Sequence, residues 1–510
     1  MKIVSEKNLT AKYLTSDKLE VMKSSKDKFD VIIITTPFSE TEKDEPFKYE
    51  DRDKKYLQPI FSWLDASCSL LNKGGNLLIH GIPKWLPYFA EHLFKEMTFK
   101  YWIVLKNPKG STHKNMMQPY HEGVLLFTKG KSKLNINQVR YPHIYCSQCG
   151  DFLADWGGKK HLRHKFGPVI SDVWDDTDGF IDDVHGLSPY TLERLLDLTC
   201  KENDKVLLGM YDKKPYAGFK TYVPEETQDV VSENSAPYII ERIPVIPVVK
   251  KQYDFPVDDV VEGDVVDVMS SWVSNQSGKF DLIFADPPYN LEKKYGKNTD
   301  DLADREYLDW CDKWLSLCAD LLSPTGTLYV LNLPKWSFFH ATLLNKKLWF
   351  QRWIAWDALS DPRGKVMPAH YGLLLYTKHR SNFVFNDIQP IPAMDQCLRP
   401  KCIAKRPLDV PKESLSDIWY DVHRIKHKRD RDQHPCQLPV KLLERVITLS
   451  SKPGDLVLDP FMGTGTTGIA AKKLGRHFMG IDIDPKYIKI ARAKVTATAM
   501  AIEDKQLALL

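Results

Sequence analysis

Short apolar runs alternate along the chain with amphipathic segments of helical period. FDLIFA (280–285) and TLYVLNL (327–333) predict buried strands, and DREYLDWCDKWLSLCADLL (304–322) between them has the spacing of a helix. Farther on, DLVLD (455–459) predicts a strand and TTGIAAKKLG (466–475) predicts a helix that begins after a glycine turn. Strands that alternate with helices of this length predict βαβ units and a mainly parallel α/β sheet.

The second half of the chain repeats the first. FDVIIITTPF (29–38) aligns without a gap with FDLIFADPPY (280–289), and the segment that ends at Trp85 aligns at the same offset with the one that ends at Trp336. HEGVLLFTK, SDVWDD and LERLLDL recur in the same order as HYGLLLYTK, SDIWYD and LERVITL. Solenoid repeats are far shorter than this. The repeat therefore predicts a duplicated domain: a first copy at residues 1–215, a connector rich in Pro, Ser and Glu at 216–255, and a second copy at 256–510.

Composition narrows the class of protein. Apolar residues make up 43% of the 510 residues and charged residues 27%, which is typical of a globular chain. The formal charge is only +4, so a surface for nucleic acid must be a local patch. Nine cysteines are too few for a disulfide scaffold. Because no leader and no apolar run of about 18 residues is visible, we expect a cytoplasmic protein with no membrane partner.

The motif Asp286-Pro287-Pro288-Tyr289 follows the predicted strand FDLIFA directly. Two consecutive prolines cannot continue a sheet ladder, so the chain must turn there. The turn presents a carboxylate, a carbonyl and an aromatic ring in fixed relation. Taken alone, the tetrapeptide is also compatible with an ordinary surface turn.

The second motif, DPFMGTGTTGIAAKKLGRHFMGIDID, runs from Asp459 to Asp484. Gly463 and Gly465 lie in a strand-to-helix turn of the kind that lets backbone approach a ligand closely. Asp482 ends the next strand, where a carboxylate can accept ribose hydroxyls. The spacing is FxGxG rather than the GxGxxG of dinucleotide sites. Alone, this turn could serve either nucleoside binding or tight packing.

Together the two motifs resemble the S-adenosylmethionine-dependent DNA amino-methyltransferases, the N6-adenine and N4-cytosine class. The order matches their β group: DPPY, a target-recognition region, then FxGxG. EGDVVDVM (262–269), SDIWYDV (416–422) and HPCQLPVKLLERVI (434–447) are similar to further family segments, and the resemblance spans about residues 256–497. It implies two Rossmann-like methyltransferase domains in tandem, each with a mainly parallel, doubly wound sheet.

The resemblance also implies roles for individual residues. Asp286 and the carbonyl of Pro287 would accept the hydrogens of the target amine, with Pro288 completing the turn, and Tyr289 would stack on a base flipped from the duplex. Asp264 would contact the adenine of S-adenosylmethionine. The full set of residues that would contact this cofactor comes from both motifs and from the segments at 262–269 and 434–447: Asp264, Asp286, His434, Pro435, Asp459, Phe461, Gly463, Gly465, Thr466 and Asp482. DPPY favours N6-adenine; N4-cytosine, RNA and a non-catalytic DNA-binding scaffold remain alternatives.

The first copy has lost both motifs. Asp286, Pro287 and Tyr289 align with Thr35, Thr36 and Phe38, and the two loop glycines align with Asp212 and Lys214. We expect this copy to be catalytically inactive. It is retained either for stability alone or as a substitute for the second subunit of a dimer, which would make the protein a monomer with an internal pseudo-dimer.

The predicted target-recognition region covers about residues 377–433. It contains a basic run that either contacts DNA phosphates or is a solvated face: Arg424, Lys426, Lys428, Arg429 and Arg431. We expect duplex DNA as partner. The duplication leaves no room for a fused nuclease, so a companion restriction endonuclease would be a separate protein.

One cysteine motif remains. Cys146, Cys149, His161 and His164 have a spacing close to that of zinc ligands, although the gap between the histidines is short. The second copy offers only Cys397 and Cys402, without matching histidines. We therefore expect thiols without a metal in preference to structural zinc, and no catalytic metal.

Overall fold

The structure is a computed structural model. It describes residues 9–15, 19–36, 46–50, 53–106, 117, 119–132, 134–135, 145–146, 149–151, 170–174, 187–210, 253, 255–276, 278–291, 294–295, 298–299, 301–358, 370–386, 391–392, 399–405, 412–413, 415–425 and 437–507. The predicted connector lies almost wholly outside these residues.

The described residues of the first copy form a seven-stranded sheet with helices. Its strands are β1 (Thr10–Thr15), β2 (Phe29–Thr35), β3 (Leu71–Gly81), β4 (Thr98–Lys106), β5 (His121–Thr128), β6 (Val173–Trp174) and β7 (Lys205–Met210). Its helices are α1 (Leu19–Ser24), α2 (Asp53–Leu70), α3 (Leu86–Leu93) and α4 (Pro189–Thr199). The strand order is β1-β7-β2-β3-β5-β4-β6, and β5 runs antiparallel to both of its neighbours.

The second copy forms an eight-stranded sheet of the same design. The strands of this copy are β8 (Asp259–Glu262), β9 (Phe280–Ala285), β10 (Lys294–Tyr295), β11 (Asn298–Thr299), β12 (Leu322–Asn332), β13 (Trp349–Asp357), β14 (His370–Thr377), β15 (Ile391–Pro392), β16 (Lys412–Glu413), β17 (Ile418–Trp419), β18 (Leu456–Asp459) and β19 (His477–Asp482). Four of them, β10 with β11 and β15 with β16, form two small separate ribbons. The main order is β17-β13-β14-β12-β9-β18-β19-β8, and β14 is again antiparallel to its neighbours.

Helices cover the second sheet. They are α5 (Val265–Gln276), α6 (Asp304–Leu321), α7 (Pro334–Leu344), α8 (Pro400–Ala404), α9 (Val440–Ser450), α10 (Thr466–Lys473) and α11 (Pro485–Leu507). Leu282, Ile283, Phe284 and Ala285 of β9 are all fully buried, as expected for a strand covered on both faces. No helix in the described part of the chain combines the length and apolarity needed to cross a membrane.

The two sheets differ at one edge. In the second copy, β18 pairs with β19, which pairs in turn with β8. In the first copy, β7 is the equivalent of β18, and it pairs directly with β1. Among the described residues, the first sheet is therefore one strand narrower on the side where the second carries β19.

The two copies pack against each other through reciprocal contacts. His121 Nδ1 lies 3.1 Å from Asp417 Oδ2, and His370 Nδ1 lies 3.0 Å from Asp172 Oδ2; all four side chains are buried. His121 aligns with His370, and Asp172 aligns with Asp417. Each copy therefore gives its aspartate to the histidine of the other, as a two-fold interface requires.

An aromatic stack lies at the same interface. Trp102 of β4 and Trp353 of β13 are equivalent residues, and their rings stack 3.9 Å apart with an interplanar angle of 17°. Phe47 and Phe350 exchange backbone hydrogen bonds of 2.9 and 2.6 Å across it. One apolar core extends through both copies, so the pair packs like a fused dimer.

Candidate active site

Four adjacent parallel strands bring the predicted site residues to one edge of the second sheet. The strands are β8, β19, β18 and β9, and Asp482 pairs with Glu262 while Asp459 pairs with Gly480. Asp264 follows β8 and Asp286 follows β9. The carboxyl ends of parallel strands are where such sheets bind ligands, so the two motifs meet at the predicted place.

Neighbouring aromatic residues fix the DPPY turn. Tyr307 on α6 donates a hydrogen bond to the carbonyl of Pro288 at 2.6 Å, and Trp336 on α7 donates one to the carbonyl of Tyr289 at 2.9 Å. The sequence reasoning missed both side chains, although the PKW motif that contains Trp336 occurs in both copies. Within the described residues, no group donates to the carbonyl of Pro287.

The side chains of the motif interact with each other. The Tyr289 hydroxyl donates to Asp286 Oδ1 at 2.5 Å, and the ring is only 3% exposed. Its centroid lies 5.6 Å from that of Tyr371. The hydroxyl therefore already occupies one acceptor position of the carboxylate, and a stacked base must use a ring that is now nearly covered.

Asp459 organises the glycine loop from inside. Its carboxylate accepts hydrogen bonds from the Phe461 N–H at 2.9 Å and from the Thr467 hydroxyl at 2.5 Å. Burial, with a smaller contribution from the nearby charge of Asp482, raises the pKa of Asp459 to about 7. The Phe461 ring packs on Trp310 and Trp314 of α6. The side chain of Asp459 thus positions the loop through backbone and hydroxyl groups.

The glycines allow the loop to turn. Gly463 has φ +51° and Gly465 has φ +90°, both in the left-handed region. A Cβ on Gly465 would lie 2.9 Å from Ala491 Cα, so both the steric contact and the backbone conformation disfavour any other residue at this position. Thr466, which is buried, begins α10 immediately afterwards.

Asp482 connects the end of β19 to the loop. One carboxylate oxygen accepts from the Gly463 N–H and the other from the Asp484 N–H, both at 2.8 Å. A carboxylate has about four acceptor positions, so capacity for ribose hydroxyls remains. Burial raises the pKa of Asp482 to about 6.

Asp264 has a local task at the start of α5. Its carboxylate accepts a hydrogen bond from the Val266 N–H at 2.8 Å and one from the Asp267 N–H at 3.3 Å, so it caps the helix. The Gly263 N–H donates to the carbonyl of Asp482 at 3.0 Å. Asp264 is therefore fixed next to the strand end that carries Asp482.

Several predicted residues fall outside the described part of the chain: His434, Pro435, Lys426, Lys428, Arg429, Arg431, His161, His164, Phe38, Asp212 and Lys214. Arg424 is described and is half-buried, so it does not belong to a fully solvated face. Within the predicted target-recognition region, Ile418 and Trp419 are buried as strand β17.

The equivalent position of the first copy holds no carboxylate at the end of β2. Thr35 and Thr36 are buried there, and the Thr36 hydroxyl donates to the carbonyl of His80 at 3.0 Å. His80 Nε2 lies 3.0 Å from Glu122 Oε2, and both side chains are buried. Glu122 aligns with Tyr371, the aromatic neighbour of Tyr289.

A parallel α/β sheet with a glycine turn and carboxylates at its carboxyl edge defines a class of enzymes that bind nucleotides or nucleosides. The DNA methylase family of N6 and N4 amino-methyltransferases matches residues 29–208 and 280–493, one segment in each copy. The chain therefore belongs to this DNA methylase family. The family and the tandem α/β fold predicted from the motifs are confirmed.

Individual relatives match about one copy. The chain is 39% identical over 214 residues to the type II methyltransferase M.BamHI of Bacillus amyloliquefaciens, covering 40% of this chain and half of that protein. It is 33% identical over 220 residues to the DNA adenine methyltransferase YhdJ of Escherichia coli, covering 41% and 74%. The crystal structure of the M1.HpyAVI–SAM complex is 22% identical, covering 46% of this chain and 98% of that chain with a TM-score of 0.34.

Proposed function

We propose that the second copy transfers a methyl group from S-adenosylmethionine to the N6 amine of adenine in duplex DNA. The observation that carries the proposal is the DPPY turn, in which the Asp286 carboxylate and the Pro287 carbonyl lie at the strand edge that also bears the glycine loop. The relatives named above as DNA methyltransferases support it.

The described residues fit a nucleoside cofactor. The loop from Phe461 to Gly465 turns through two left-handed glycines, and Asp482 on the neighbouring strand keeps acceptor capacity. We assign the cofactor to the set Asp264, Phe461, Gly463, Gly465, Thr466 and Asp482, with His434 and Pro435 as further predicted contacts. Asp459 contributes by positioning the loop. When bound, the cofactor would supply an electrophilic methyl group.

The protein's own part in the reaction is orientation and electrostatics. An exocyclic amine is a weak nucleophile because its lone pair is conjugated with the ring. Asp286 and the Pro287 carbonyl would accept its two hydrogens and so free the lone pair. Tyr307 and Trp336 hydrogen-bond to the carbonyls of Pro288 and Tyr289, and these bonds would hold the Pro287 carbonyl in place. As the base enters, the Tyr289 hydroxyl would yield its position on Asp286 to the amine.

The partners follow from the arrangement of the two copies. The first copy would act as the second half of a pseudo-dimer within a monomer and help to position DNA. Residues 377–433 would contain the target-recognition region, with Arg424 and the basic residues after it contacting phosphates. A separate companion restriction endonuclease and a cytoplasmic site of action stay predictions.

The test is incubation of the full-length protein with unmodified duplex DNA and S-adenosylmethionine, followed by nucleoside mass spectrometry. We expect N6-methyladenine from wild type and from Thr35→Val in the first copy, at equal rates. Asp286→Ala should reduce the rate at least roughly 100-fold while it still binds cofactor.

Other outcomes would change the proposal. N4-methylcytosine would retain the mechanism and replace the base. Methylation of RNA but not of DNA would change the substrate in the proposal from DNA to RNA. No product together with no cofactor binding would leave a DNA-binding scaffold.

A further inference from the structure

Three cysteines from the two copies meet in space. Cys146 and Cys149 belong to the first copy and Cys402, on α8, to the second, and their sulfurs all lie within 4.8 Å of one another. We propose that these three thiolates bind a structural zinc ion that joins the two copies. The inference does not depend on the proposed methyl transfer.

The sulfur spacing is that of a metal site. Cys146 Sγ and Cys402 Sγ lie 3.9 Å apart. Sulfur ligands about 2.3 Å from a tetrahedral zinc ion are separated by about 3.8 Å. A disulfide bond requires a separation of about 2.05 Å. The two sulfurs are thus already at the spacing that zinc needs and well beyond that of a covalent bond.

Backbone hydrogen bonds hold Cys146 of the first copy close to Gly150 and Asp151. The Cys146 N–H donates to the carbonyl of Asp151 at 2.7 Å, and the Gly150 N–H donates to the carbonyl of Cys146 at 2.8 Å. Gly150 has φ +66°, and nothing lies within 4 Å of the place where its Cβ would be. This left-handed conformation favours glycine at position 150. The sulfurs of Cys146 and Cys149 lie within 4.8 Å of each other, and Cys-x2-Cys pairs are common at structural zinc sites.

The cysteine cluster is set apart from the apolar cores, and a cation lies beside it. Cys146 and Cys402 are buried as a pair of their own, separate in the described residues from the two large apolar clusters. Arg399 Nη1 lies 3.8 Å from Cys149 Sγ, and its Nη2 lies 3.7 Å from Asp151. A guanidinium next to a thiol favours the deprotonated form, which is the form that binds zinc.

Three sulfurs leave one position of a tetrahedral ion. The sequence supplies Cys397, His161 and His164 as candidates for it; all three lie outside the described residues, and the proposal rests on the three sulfurs alone. The sequence alone favours thiols without a metal, because nothing in the spacing of Cys146 and Cys149 indicates that Cys402, 256 residues away, lies beside them.

The test is metal analysis of the full-length protein, purified under reducing conditions without chelator and then supplied with zinc. We expect about one zinc ion per chain in wild type and loss of most of it in Cys146→Ser, Cys149→Ser and Cys402→Ser. Cys68→Ser, a buried cysteine of α2 outside the cluster, is the matched control and should keep its zinc. Chelation should lower the thermal midpoint of wild type and of Cys68→Ser.

A second readout covers variants that fold poorly. Cobalt added to metal-free wild type should give the thiolate charge-transfer and visible bands of tetrahedral coordination. The proposal fails if the reduced wild type takes up no zinc or cobalt, if Cys68→Ser loses metal as Cys402→Ser does, if iron replaces zinc, or if intact mass shows a Cys146–Cys402 disulfide in the protein before reduction.

Discussion

The ends of strands β2 and β9 are the same point of the fold in the two copies, and they differ completely. At the end of β9, Asp286 lies next to strand β18, which leads into the glycine loop. At the end of β2, Thr35 and Thr36 are buried, and the next pair inward is His80 with Glu122. One copy has a carboxylate at the end of this strand, whereas the other has two buried threonines there.

The interface shows the opposite pattern. The stacked tryptophans Trp102 and Trp353 are the same residue type in both copies, and so are the histidines and aspartates of the two reciprocal pairs. The first copy thus lacks the carboxylate at the end of β2 and shares with the second copy the residues that join the two. These matched residues are compatible with both roles proposed for the first copy, a stabilising domain and one half of a pseudo-dimer.

The largest expected effect comes from the glycine loop, whose two glycines align with Asp212 and Lys214 in the sequence of the first copy. Gly465→Ala puts a Cβ 2.9 Å from Ala491 Cα at φ +90°, and should reduce S-adenosylmethionine affinity more than about tenfold and destabilise the fold by about 1–3 kcal/mol. Gly130→Ala in the first copy is matched: φ is +81° with open space around it. It should destabilise by about 1 kcal/mol and leave binding unchanged. Equilibrium dialysis and urea unfolding measure both, and equal loss of affinity in the two variants would contradict a specific role for the loop.

The reciprocal pairs are the next test. Asp417→Asn and Asp172→Asn each remove a buried charge that faces a histidine of the other copy, and each should cost about 1–3 kcal/mol in the free energy of unfolding. Glu444→Gln, in an exposed pair with Lys473, should stay within about 0.5 kcal/mol of wild type. Urea unfolding measures the free energy of unfolding of all three variants and of wild type. If only one of the aspartate variants is destabilised, the two-fold character of the interface is wrong.

The smallest effect concerns pH. Burial raises the pKa of Asp482 to about 6, and only its ionised form accepts hydrogen bonds with both oxygens. Affinity for S-adenosylmethionine should therefore fall about fourfold between pH 7 and pH 5.5. Because the folded state holds this proton more tightly than the unfolded chain, the same group makes stability fall as pH rises from about 4 to about 6. Asp482→Asn should bind more weakly and show a shallower profile, because the Asp459 carboxyl, with a pKa of about 7, still titrates in this range; an unchanged slope in this variant would assign the titration to another group.

The fold, and the sheet edge at which the two motifs lie, could be predicted from the sequence because both depend on local patterns. The apolar run of β9, the two prolines and the glycine turn each determine the backbone conformation over a few residues. Parallel pairing of the strands then places their carboxyl ends at one edge of the sheet. Tyr307 and Trp336 were beyond it, since their task depends on how α6 and α7 pack. The meeting of Cys146 with Cys402 was also invisible, because it is set by the way two domains dock.

The reciprocal histidine–aspartate contacts have a kinetic consequence if the proposed function is correct. A symmetric pair of methylases offers an equal site to each strand of a palindrome. Here the pair is fused and the first copy has threonine where the second has Asp286, so under the proposed function a single docking event would modify one strand only. Full modification of a palindrome then takes release and rebinding in the opposite orientation, and DNA methylated on one strand becomes an obligatory intermediate that accumulates early in the reaction.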